Sequence, residues 1–254
     1  MTTSADDPAD GWFPESIASD YDNPGGANTP ETITPAVDLL AELADGPALE
    51  FAIGTGRIAA PLATRGIPVS GIELSRAMAA RISSKPGGET IDVTIGDMTT
   101  TRVPGTFSLV YLVFNTINNV TTQHGQVEVF RNAAAHLRPG GHFLIEVGVP
   151  DLRHLPPGQN TVPFHLETSG DDHRYAGFDH YDVVTQQFTS NHITVTPDGR
   201  GEFRSIPFRY AWPAELDLMA RIAGMTLTHR WADWNRTRFT EDSTQHISIW
   251  RTTT

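Results

Sequence analysis

The sequence contains no cysteine, which removes disulfides, thiolate nucleophiles and zinc–thiolate centres from consideration together. Basic residues are also scarce: 18 Lys and Arg stand against 30 Asp and Glu, for a formal charge of −12. No run of Lys and Arg occurs, so the electrostatic footprint that a polyphosphate backbone requires is missing and nucleic acid is disfavoured as a partner. There is no stretch of 18 apolar residues, as a membrane-spanning helix would need, and residues 1–10 are polar and acidic, without the basic start and apolar centre of a signal peptide. A cytoplasmic protein that does not engage a membrane is the expectation.

What the chain does contain is 254 residues with 39% hydrophobic and 19% charged content, a globular composition long enough to bury a substantial core. From residue 48 onward short apolar runs alternate with helical patterns, which is how βαβ units read. Strands are expected over 48–53, 68–72, 90–95, 107–114 and 141–147. Helices are expected at 35–44 before the first strand, then at 58–63, 76–83 and 126–137, the last stopped by Arg138-Pro139-Gly140-Gly141. Residues 151–212 differ: they carry strand-like stretches at 161–167, 181–188, 192–196 and 202–210 with no helical period between, and Pro197-Asp198-Gly199 is a hairpin signal. A helix at 213–223 and strands at 226–231 and 246–251 complete the pattern. The fold class is therefore α/β: a mainly parallel sheet with helices on both faces, and an antiparallel β insertion after strand 5. The expected division is an N-terminal flap over 1–30, with a helix at 12–21 and a loop at 22–29, a core over 31–150 and 213–254, and the insertion over 151–212.

The strongest chemical signal is Leu49-Glu50-Phe51-Ala52-Ile53-Gly54-Thr55-Gly56-Arg57, a strand running through a small-residue turn into a helix. Glycines there let the backbone turn tightly and let a nucleotide-like ligand lie against it, although such a turn alone also serves plain packing. The second strand ends in Glu73, 17 positions after Gly56, where a carboxylate can accept from both ribose hydroxyls. The third ends in Gly96-Asp97-Met98, and a second acid at this edge can accept from an adenine amino group; as a bare turn residue it would only cap its own loop.

In this order, Glu50…Gly54-Thr55-Gly56, Glu73-Leu74-Ser75…Met78, Gly96-Asp97-Met98, Phe107-Ser108-Leu109-Val110 and Leu137-Arg138-Pro139-Gly140-Gly141, the chain resembles the class I S-adenosylmethionine (SAM)-dependent methyltransferases. The resemblance implies a Rossmann-like sheet of seven strands, the last antiparallel, with SAM as cofactor and S-adenosylhomocysteine as product. It implies that Glu50 supports the methionine ammonium, that Ala52, Gly54 and Gly56 line the amino-acid end with Arg57 beside them, and that Glu73 holds the ribose with Leu74 and Met78 nearby. Asp97 and Met98 would flank the adenine, and Phe114 and Asn115 would face the transferred methyl group. Ser19-Asp20-Tyr21-Asp22 resembles the flap of small-molecule methyltransferases, including actinobacterial sugar N-methyltransferases, in which a Tyr closes over the cofactor. One position departs from the family pattern: Ala52 stands where Gly is usual.

Transfer of an activated methyl group asks the protein chiefly to align the acceptor and exclude water. A general base helps where the acceptor carries a proton, and histidine has a suitable pKa. His124 and His180 are the candidates, ahead of His165 and His173. Asp171-Asp172-His173 and Asp179-His180 lack the spacing of ligands on two rigid elements, so no metal is expected. The aromatics Phe164, Tyr175, Phe178, Tyr181, Tyr210 and Trp212 read as a substrate wall, as the insertion's own core or as a homodimer surface. A small-molecule methyl acceptor follows from the resemblance. Two rivals stay open: an NAD(P)-dependent oxidoreductase, which would want a third glycine near Ala60, and a noncatalytic SAM-binding protein.

Overall fold

The computed structural model describes residues 13–23, 28–153, 155–166, 174–196 and 198–253. Its centre is built by two fully buried strands, β1 (Ala48–Phe51) and β4 (Phe107–Leu112). Continuous apolar runs of this kind belong in a parallel sheet covered on both faces. Along β4 the side chains alternate between two cores: Phe107, Val110 and Leu112 face one, Leu109 and Tyr111 the other. The first core is closed by α5 (Gln123–His136) and α6 (Pro213–Ile222), the second by α2 (Pro30–Leu43) and α3 (Ala59–Thr64). Helices thus cover both faces of one sheet.

With β2 (Val69–Glu73), β3 (Asp92–Ile95), β5 (Leu137–Gly148), β10 (Met225–Trp231) and β11 (Gln245–Thr252), the sheet has the order β10-β11-β5-β4-β1-β2-β3. The first five strands run parallel, while β11 pairs antiparallel with both β5 and β10. The chain leaves β1 toward β2 and returns on the other side of β1 as β4, so a crevice opens at the carboxyl ends of β1 and β4, where such sheets bind ligands. In the first core Trp250, Phe130 and Phe143 pack edge to face and tilted at 5.1–6.2 Å between centroids, and burying each contributes about 1.5–3 kcal/mol.

Several boundaries differ from the sequence expectation. Helix α2 begins at Pro30 rather than Pro35, because Pro30 occupies the first-turn position that proline favours and Pro35 is carried inside the helix. In place of one helix over 76–83 there is a short α4 (Arg76–Ala79), capped by the Ser75 hydroxyl on the Met78 N–H, and then a 3-10 turn at Ile82–Ser84. Strand β5 starts at Leu137, with Arg138-Pro139-Gly140-Gly141 inside it: Leu137 pairs with Phe107 across an irregularity in the register, and a bulge admits the extra residues. The N-terminal helix is α1 (Glu15–Ala18), shorter than 12–21, of which Trp12 lies outside the described residues.

The insertion forms a separate antiparallel meander of β6 (Thr161–Leu166), β7 (Arg174–Asp182), β8 (Gln187–Val195) and β9 (Gly201–Arg209). The stretch 181–188 is not one strand: it holds the end of β7, a turn at 183–186 and the start of β8. Asp182 accepts from the Val184 N–H and the Thr185 hydroxyl at 2.9 and 2.7 Å, and Gln186 takes φ 59°, so local side-chain bonding outweighs the β preference of Val183 and Val184. The meander is anchored through Arg209, which is buried and donates to Gln126, Gln186 and Glu215 at 2.5, 3.3 and 2.7 Å. No described helix is long and apolar enough to cross a membrane.

Candidate functional site

The crevice at the ends of β1 and β4 holds a cleft of about 320 Å³, part of it open to solvent. Tyr21, Glu50, Ala52, Gly54, Arg57 and Phe114 line it together. Ile53, Thr55, Ile58, Val113 and Thr116 complete the lining; sequence reasoning did not single these out, although most are neighbours of the quoted motif.

The turn after β1 owes its shape to three residues with positive φ: Ala52 at 50°, Gly54 at 59° and Gly56 at 78°. Glycine takes this region freely and alanine does not, so the departure noted in the sequence is a position of backbone strain. The turn is fixed from β2. Glu73 accepts the Gly54 N–H at 2.7 Å on one oxygen and the Ser75 N–H at 2.8 Å on the other. Burial raises the Glu73 pKa, while the N–H groups of Ser75, Gly54 and Leu74 oppose that shift. A carboxylate with about four acceptor sites keeps capacity beyond these three donors. Met78 is buried under the turn, its Cε 3.5 Å from where a Cβ on Gly54 would stand.

Glu50 is buried at the floor of the cleft and accepts the Tyr111 hydroxyl at 3.0 Å. Burial pushes its pKa up to about 8, against the pull of the Tyr111 hydrogen bond and the Arg57 charge. The Arg57 guanidinium lies over the Phe114 ring, 4.9 Å from the centroid, a cation–π arrangement across the mouth.

Residues 13–23 close one side. Asp22 accepts from the Thr55 hydroxyl at 2.6 Å and from Lys85 Nζ at 2.5 Å, Glu15 pairs with Arg81 at 2.6 Å, and the Ser75 hydroxyl donates to the Phe13 carbonyl at 2.7 Å. Phe13 and Tyr21 meet edge to face at 6.0 Å. Tyr21 is thereby held in the cleft lining; burial raises its pKa and Arg57 opposes the rise.

Other expected residues do not line this cleft. Asp97 is exposed, and its Oδ1 accepts the Thr99 N–H and hydroxyl, each at 2.7 Å, which closes its own turn. Met98 belongs to the core against α5, Leu74 is half-buried beyond β2, and Asn115 uses its Oδ1 on the Gly148 N–H at 2.5 Å. His124, on the first turn of α5, is 84% exposed and 4.0 Å from Glu128. His180 is exposed on β7 with one ring nitrogen 3.0 Å from the Thr161 hydroxyl and the other 3.3 Å from Asn160. Neither histidine lines the cleft. His173 and Asp171-Asp172 lie outside the described residues, and the His165 ring rests 5.1 Å from Tyr175.

The insertion aromatics stack on one another, Tyr181 on Phe188 and Phe188 on Phe208 at 5.1 Å each, with Tyr210 alongside. They form a row of cross-strand neighbours on one face of the meander, of which Tyr210 is buried and the others are half-buried. His192, which the sequence did not bring forward, sits beside Phe164 and Tyr175 with Nδ1 2.5 Å from the Tyr175 hydroxyl and Nε2 3.3 Å from that of Ser190.

Comparison with known proteins agrees with this geometry. Residues 48–141 match the methyltransferase domain family. The chain is 26% identical over 183 residues to the cypemycin N-terminal methyltransferase of a Streptomyces species, covering 71% of this chain and 72% of that protein. The structure of the CcbJ methyltransferase from Streptomyces caelestis superposes with a TM-score of 0.83 at 33% identity, covering 94% of this chain and 96% of that one. SAM-bound CalS10, an amino pentose methyltransferase from Micromonospora echinaspora, shares the fold with a TM-score of 0.65 at 17% identity, over 94% and 97% of the two chains. A ligand crevice at the sheet's switch point, a strained small-residue turn and full-length likeness to a methyltransferase all agree: the chain belongs to the class I SAM-dependent methyltransferases.

Proposed function

We propose that this cleft takes the amino-acid end of SAM and that the chain directs its methyl group to a nitrogen or oxygen of a small molecule. The observation that carries the reading is the meeting of Glu50, Arg57, Gly54 and Phe114 with Tyr21 in one cleft. Its residues fit the cofactor. Glu50 is a buried carboxylate whose pKa is raised by burial despite the nearby Arg57 charge, and the amino group of the cofactor would be a further cation for it. Arg57 suits the cofactor's carboxylate, and the acceptor capacity left on Glu73 suits a ribose hydroxyl. Asp97 and Met98, beyond β3, are the proposed adenine edge, with Leu74 and Met78 beside the sugar and Asn115 behind Phe114.

When bound, the cofactor supplies a methyl carbon already activated by the adjoining sulfonium. The chain's part is to hold that end of the cleft dry and aligned. Tyr21 closes it from the flap, Phe114 walls it from β4, and the Ala52 to Gly56 turn fixes its floor. His124 and His180 stand away from the cleft, so no base is assigned.

The acceptor is proposed as a small molecule, met in the cytoplasm, with 1–30 acting as flap, 31–150 and 213–254 as core and 151–212 as the acceptor-side insertion or a dimer surface. The acidic composition, which disfavours a nucleic-acid acceptor, supports the small-molecule part of this reading. An amine acceptor gains support from two relatives named for an N-terminus and an amino pentose. The test is methyl transfer from labelled SAM across a panel of amines, phenols and alcohols. Label entering an amine or a hydroxyl is expected; SAM binding with no transfer across the panel would reduce the chain to a binding protein.

A further inference from the structure

Strand β5 holds the segment after β4 at three points. Oε2 of Glu146 accepts the Phe114 N–H at 2.9 Å, the Glu146 carbonyl accepts the Asn115 N–H at 3.2 Å, and the Gly148 N–H donates to Asn115 Oδ1 at 2.5 Å. The segment needs holding, because Phe114 and Asn115 both have φ 60°. Asparagine tolerates that region; a bulky side chain such as phenylalanine rarely enters it. Strain of this kind persists only where the surroundings over-determine it. The second oxygen of Glu146, Oε1, accepts Trp234 Nε1–H at 2.9 Å from the connection between β10 and β11.

We infer that Glu146 is a positioning residue: by accepting from the Phe114 N–H and the Trp234 indole at once, it keeps Phe114 in the left-handed conformation that sets its ring in the cleft wall opposite Arg57. Two N–H donors converge on one side chain, and only a carboxylate offers two acceptor oxygens and no hydrogen. An amide in its place satisfies one donor and sets its own NH2 against the other. The consequence for the site rests on the reading of the cleft as the seat of the cofactor's amino-acid end. Phe114 then shapes the part of the site that holds that end and leaves the purine end untouched.

The test uses the full chain and three ligands measured by calorimetry: SAM, S-adenosylhomocysteine and adenosine, which lacks the amino-acid end. Glu146→Gln is expected to weaken S-adenosylhomocysteine about tenfold, the factor that one lost charge-assisted hydrogen bond corresponds to, and to change adenosine affinity by less than about twofold. In the double variant Glu146→Gln, Trp234→Phe, the amide oxygen is free to face Phe114 and most of the lost affinity should return, which also tests the inference if the single variant folds poorly. An unchanged affinity for S-adenosylhomocysteine, an equal loss for adenosine, or a double variant no better than the single one each overturns the inference while leaving the cofactor reading standing. A wild-type chain that binds neither SAM nor S-adenosylhomocysteine overturns both.

Discussion

The Tyr111 hydroxyl donates to Glu50 at 3.0 Å with both side chains buried beneath the cleft. A single neutral donor and the nearby Arg57 charge do not offset the loss of water, and Glu50 is pushed from its ordinary 4.5 up to about 8. A carboxyl group with a raised native pKa binds its proton more tightly folded than unfolded. Its contribution is full below about 4.5 and is lost as pH rises toward 8. In the cofactor-free protein, Glu50→Gln should therefore raise the melting temperature relative to wild type by an increment that grows from pH 5 to pH 8. A constant increment across that range would show that Glu50 ionises freely.

His246 works in the opposite direction. It is buried on β11 with Nδ1 2.8 Å from the Ser248 hydroxyl and, among the described residues, no hydrogen-bond partner for Nε2. Burial lowers its pKa to about 3, helped by the Arg230 charge and opposed by Asp217. The unfolded chain takes up this proton first, so stability is full above about 6.5 and falls as the pH drops toward 3. His246→Gln should flatten the stability curve between pH 6.5 and 4 in denaturant titrations. An acid limb identical to wild type would mean that other groups set it.

Ala52 at φ 50° carries a cost that glycine would not. Ala52→Gly is expected to stabilise the protein by about 1 kcal/mol, a sign opposite to the usual effect of glycine, read as a higher denaturation midpoint. A lower midpoint would show that the turn relaxes around the methyl group.

Asp22 joins the flap to both Thr55 and Lys85. The ion pair is partly exposed and worth no more than about 1 kcal/mol, so Asp22→Asn should speed release of S-adenosylhomocysteine by up to about fivefold and remove part of the salt dependence of that rate. Stopped-flow release rates with the same value and salt response as wild type would detach the flap from ligand exit.

What the sequence made legible was local. The motif from Leu49 to Arg57 lies within one strand and one turn, and its meaning survives folding. The alternating βα pattern marked the strands and a mainly parallel sheet, while the antiparallel last strand came with the family resemblance. Val183 and Val184 misled because their β preference was read without the hydrogen-bonding reach of Asp182. Asp97 was ambiguous by nature, since the carboxylate that suits an adenine edge also closes its own turn on Thr99. The grip of Glu146 on Phe114 and of Asp22 on Thr55 could not be read at all. Each joins residues more than 30 positions apart, and neither glutamate nor aspartate carries a local signature of its distant partner.

The central claim is that one cleft at the ends of β1 and β4 receives the methyl donor. Titrating the wild-type chain with S-adenosylhomocysteine and separately with NAD, beside the Glu73→Ala variant, tests it most directly. The account predicts one-site binding of S-adenosylhomocysteine, none of NAD, and a loss of about tenfold or more in the variant. Binding of NAD alone, or full S-adenosylhomocysteine affinity without Glu73, would contradict it.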